Sequence, residues 1–101
     1  MTRLERLWRD HRKATFPASC VGREIDGIDL TSLDSYTAGC VSSFLGSGKL
    51  NGWRLAVLGR CYRDARYVIP ALEPELRDYF ERLETMAGEI LRVVATAGRT
   101  R

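Results

Sequence analysis

The stretch "LRDYFERLETMAGEILRVV", Leu76 to Val94, places apolar residues at Leu76, Phe80, Leu83, Ala87, Ile90 and Val94. Their spacing alternates four and three, the seam of a helix that lays one face along other helices. Tyr79, Met86 and Leu91 thicken that stripe. Upstream, Glu73-Pro74-Glu75 forms a good helix start, because proline is favoured in the first turn and carboxylates complement the positive end of the helix dipole. A helix with so regular a seam needs partners, and the preceding residues supply them.

Asn51 is positioned to cap a helix running to Val68, with Leu55, Leu58, Tyr62, Ala65 and Ile69 along one side and Trp53, Val57 and Cys61 widening the stripe; Pro70 stops it. Before it, Asp34 or Ser35 is expected to cap a helix that turns Thr37, Cys40, Val41, Phe44 and Leu45 one way and ends near Leu45, with Gly46 closing it in the left-handed conformation. At the N-terminus, Leu4, Leu7, Trp8 and His11 share one face of a helix over Thr2 to Lys13, ended by Phe16-Pro17. Between the first two helices, Asp26-Gly27 lies between Ile25 and Ile28, the signature of a two-residue hairpin turn. Residues 18–33 therefore read as a hairpin or an extended excursion. The expected fold is mainly α, a small four-helix bundle with that excursion after the first helix. Its single domain spans 1–96, and 97–101 is expected to fray because "TAGRTR" lacks apolar anchors.

Hydrophobic residues at 45% and charged ones at 29% describe a foldable globular chain rather than a disordered one. No apolar run approaches the ~20 residues that cross a bilayer. The segment "MTRLERLWRDHRKATFP" has no uninterrupted signal-peptide core, so no membrane association is expected and the cytoplasm is the expected compartment. Three cysteines, Cys20, Cys40 and Cys61, form no C-x-x-C pair and read as reduced thiols.

The chain resembles short, functionally uncharacterised proteins of high-GC actinobacteria in its leading "LWRDHR", its central "GIDL", "LD" and "AGCVSSFL", and its later "YFERL". The resemblance spans most of the chain through packing signals and implies no activity.

Four chemistries can be weighed. The loop "FLGSGKLNGW", Phe44 to Trp53, is rich in glycine, but a phosphate loop built on Gly48-Lys49 would need glycine at Ser43 and a hydroxyl at Leu50. It reads as a connector between helices. Glu24, Asp26, Asp29 and Asp34 lack the spacing of a calcium loop and read as turn and cap residues, or as a negative patch for a partner. His11, the only histidine, sits at helical spacing with apolar neighbours and reads as a core-edge residue. Finally, Arg3, Arg6, Arg9 and Arg12 on the first helix and Arg54, Arg60, Arg63 and Arg66 on the third could meet phosphates, although Asp10 and Asp64 interrupt the two stripes.

No catalytic, metal or cofactor site is expected. The leading expectation is a non-enzymatic protein-protein interaction or regulatory module, binding through Arg54, Arg60, Arg63, Arg66, Trp53, Asp26 and Asp29. The alternatives are a nucleic-acid-binding regulator that uses the arginine faces of helices 1 and 3, and an immunity-type protein that neutralises a toxin. The partner is expected to be another protein. Whether the chain is a monomer or a homodimer stays open.

Overall fold

Thr2 opens helix α1 (Arg3–Lys13) with a capping box: its hydroxyl accepts from the Glu5 amide at 3.1 Å, and the Glu5 carboxylate accepts from the Thr2 amide at 3.0 Å. The computed structural model describes residues 1–99. A short 3₁₀ turn at Ala18–Cys20 leads into a hairpin of β1 (Glu24–Ile25) and β2 (Ile28–Asp29), antiparallel with Glu24 opposite Asp29 and Ile25 opposite Ile28. Asp26 at φ 49° and Gly27 at φ 85° form its turn, and two successive left-handed residues give the twist a tight hairpin needs.

Helix α2 (Leu30–Ser47) begins directly at the end of β2, capped by the Asp29 carboxylate on the Ser32 amide at 2.9 Å. The expected cap at Asp34 or Ser35 is therefore displaced by more than a turn, because Leu30 and Leu33 are buried and an earlier start drives both into the core. The C-terminus is displaced too. Gly46 lies inside α2, and Gly48, at φ 75°, closes it by donating its amide to the Phe44 carbonyl at 2.7 Å.

Helix α3 (Gly52–Val68) starts at Asn51, whose side-chain oxygen accepts from the Arg54 amide at 2.8 Å. A 3₁₀ turn at Ile69–Ala71 absorbs Pro70, and α4 (Pro74–Arg99) returns along the other three helices. At ~1.5 Å per residue its 26 residues span about 39 Å, close to the 44 Å length of the molecule. The helix continues past residue 96, where the sequence marks the domain's end; Thr100 and Arg101 lie outside the described residues.

The result is a mainly α four-helix bundle with a two-stranded hairpin after α1. Phe80, Leu83, Met86, Ala87 and Ile90 are buried along α4 and meet Leu30, Val41, Leu58, Ala65 and Val68 in one core. Gly88 of α4 faces Tyr62 of α3, and a Cβ there would lie 3.1 Å from the ring. No helix among the described residues is long and apolar enough to cross a membrane.

Candidate interaction groove

The early start of α2 brings the hairpin tip beside α3. The Tyr67 hydroxyl donates to the Asp26 carboxylate at 2.5 Å, fixing the left-handed turn against α3; this bond and the adjacent charge push the Tyr67 phenol above its usual range. Between hairpin, α2 and α3 a groove of about 580 Å³ opens. Leu33 of α2 and Cys61 of α3 are buried residues of its lining, and Val57 and Ile28 are half-buried. Tyr36 and Trp53 also line it, and they stand 58% and 67% exposed, too far out of the core to have been placed by packing.

Trp53, Val57, Arg60, Cys61 and Asp64 recur at four, three, one and three residues, so α3 presents them on one side. Asp26, Asp29, Asp64 and Arg60 supply the charge of the groove. Burial pushes the Cys61 thiol up, so the one sulfur nucleophile of the lining stays protonated near neutral pH.

Four of the residues singled out in the sequence, Asp26, Asp29, Trp53 and Arg60, thus converge. The other arginines of α3 do not line this groove. Three residues advance a helix by about 300°, so Arg60, Arg63 and Arg66 step around α3 by about 60° each and fan out instead of forming a stripe. Arg66 turns back over Tyr62, 5.6 Å from the ring centre, and donates to its hydroxyl at 3.2 Å. Arg54 occupies the first turn, where its carbonyl accepts from the Cys40 thiol at 3.6 Å. On α1, Arg3 pairs with Glu89 at 2.6 Å, Arg9 lies 3.4 Å from Asp10, and Arg6 donates to the Met1 carbonyl at 2.8 Å. Arg12 joins Arg9, Lys13, Trp8 and Leu45 around a second hollow of about 540 Å³.

Tyr36 and Asp64 were not legible as groove residues. With the α2 cap read at Asp34 or Ser35, Tyr36 fell at the very start of the helix, outside its counted face. Asp64 read only as an interruption of the arginine stripe. The acidic residues of the hairpin region separate in function: Asp29 caps α2, Asp26 holds the hairpin tip, and Asp34 instead accepts from the Tyr79 hydroxyl at 2.8 Å and faces His11 Nε2 at 3.4 Å. Among the described residues no group of three or more His, Cys, Asp or Glu is placed to hold a metal ion.

No family model, curated protein or solved structure matches the chain. The functional reading therefore rests on the groove itself.

Proposed function

We propose that the protein is a non-enzymatic protein-binding module of the cytoplasm, and that the groove between the hairpin, α2 and α3 is its docking surface. The observation that carries this reading is the pair Tyr36 and Trp53, large aromatics held in water on two packed helices. Exposing an indole forgoes roughly 1.5 to 3 kcal/mol of burial, and tyrosine and tryptophan on rigid elements are the side chains that most often dominate binding energy. A buried floor and a charged rim complete the anatomy of an interface core. Nucleic-acid binding is the weaker reading, since several of the arginines it needs are engaged with carboxylates, a carbonyl or a tyrosine, and those of α3 diverge.

Site-specific photo-cross-linking tests the proposal. A photoreactive amino acid at position 36 or 53 should give one discrete adduct in the native cell, and the same group at Val93, exposed on α4, should give none. The adduct's partner, purified, should bind the wild-type chain, and Trp53→Ala should weaken binding about thirtyfold. Equal adducts from position 93, or an unchanged affinity for Trp53→Ala, would overturn the reading.

A further inference from the structure

We infer that the groove takes a basic segment of its partner, seating an arginine or lysine side chain against Asp26, Asp29 and Asp64; this rests on the docking surface proposed above. The chain as a whole carries a net charge of +3, so its long-range field opposes a cationic partner. The groove inverts that sign. Three carboxylates line it against the single guanidinium of Arg60.

Those carboxylates retain unused acceptor capacity. Asp26 spends one oxygen on the Tyr67 hydroxyl and Asp29 one on the Ser32 amide. Asp64 accepts no side-chain hydrogen bond and forms no ion pair among the described residues, although Arg60 stands one turn before it on α3. A carboxylate accepts several hydrogen bonds, and a guanidinium or ammonium is the donor that best fills such a set. Tyr36 and Trp53 provide the second half of the recognition: the apolar stem of a lysine or arginine lies along an aromatic ring while its charged head reaches the acid. A neutral or acidic segment would cover the same rings and desolvate Asp64 and the remaining acceptor sites of Asp26 and Asp29 without supplying donors, which penalises the wrong partner.

Fluorescence anisotropy with three labelled peptides, alternating Leu-Arg, Leu-Gln and Leu-Glu, tests this directly. At physiological ionic strength the screening length is about 8 Å, so local contacts in the groove outweigh the net charge. The Leu-Arg peptide should bind at least about tenfold more tightly than the Leu-Gln peptide, and the Leu-Glu peptide most weakly. The variant Asp26→Asn/Asp29→Asn/Asp64→Asn removes the charge and keeps the fold, because asparagine tolerates the left-handed turn at position 26 and caps a helix as well as aspartate at position 29. In that variant the preference for Leu-Arg should vanish. Equal binding of Leu-Arg and Leu-Gln that is still lost in Trp53→Ala overturns the basic preference and leaves the docking surface standing. Binding by none of the three peptides, or a Leu-Arg preference that survives in the triple variant, overturns the inference; cross-linking at position 53 judges the docking surface independently.

Discussion

At the scale of residues, the polar cluster around His11 joins three helices. Asp34 of α2 accepts from the Tyr79 hydroxyl of α4 and faces Nε2 of His11 on α1, while Arg82 donates its Nε to His11 Nδ1 at 3.1 Å. With Nδ1 accepting from Arg82, Nε2 is the ring nitrogen left to donate toward Asp34. Burial and the Asp34 carboxylate push the Tyr79 phenol far up, so it remains a donor throughout the working pH range. Asp34→Ala should cost about 2 to 3 kcal/mol in urea unfolding, because it strands two donors, whereas Asp34→Asn, which still accepts, should cost clearly less. The spacing with Leu4, Leu7 and Trp8 placed His11 at the core edge, but its partners were not legible: Asp34 and Arg82 lie 23 and 71 residues away in sequence.

Arg23 donates twice to Glu73, at 2.8 and 2.9 Å, tying the segment before the hairpin to the start of α4, and this pairing holds the Glu73 carboxyl below its ordinary value of 4.5. A depressed carboxylate stabilises the fold above the unfolded-state value, and that contribution is lost as pH falls through the lower folded-state value. An NMR titration should show Glu73 titrating below 4.5, and Arg23→Gln should return it to the ordinary range. Both groups face water, so the effect on overall stability should be small.

At the scale of elements, the helices and hairpin were legible because each carries a local signal: the heptad-like seam for α4, Asn51 for α3, Asp26-Gly27 for the turn. The ends of α2 were not. Asp29 and Asp34 are equally good caps, and Gly46 and Gly48 equally good stops, so only burial of Leu30 and Leu33 and the fit of the following loop select between them. This yields a paired prediction. Gly48→Ala forces a side chain into a left-handed conformation and should cost about 1 kcal/mol, while Gly46→Ala, in the last turn of α2 with open space around it, should stabilise by up to about 1 kcal/mol. Thermal unfolding of the two variants distinguishes them by sign. The missed start of α2 also hid the groove, since it left Tyr36, which lines the groove with Trp53, outside the face counted for that helix.

At the scale of the whole molecule, the α4 seam is the core of the bundle, with Phe80, Leu83 and Ile90 fully buried against the other helices. Leu83→Asp puts an unpaired charge among them and should cost about 3 to 5 kcal/mol, enough to unfold a domain of this size. Circular dichroism should show loss of helix, and a folded variant that only changes association state in sedimentation would contradict the intramolecular core. With the interior filled by this seam, the aromatics of the groove are surplus to folding, and that surplus is what leaves them available to a partner. The most direct measurement of this claim is the equilibrium unfolding of Trp53→Ala. If Trp53 is held out of the core, the unfolding free energy should stay within about 0.5 kcal/mol of the wild type. A loss of about 3 kcal/mol or more, the cost of deleting a buried indole, would make Trp53 a core residue and contradict the account.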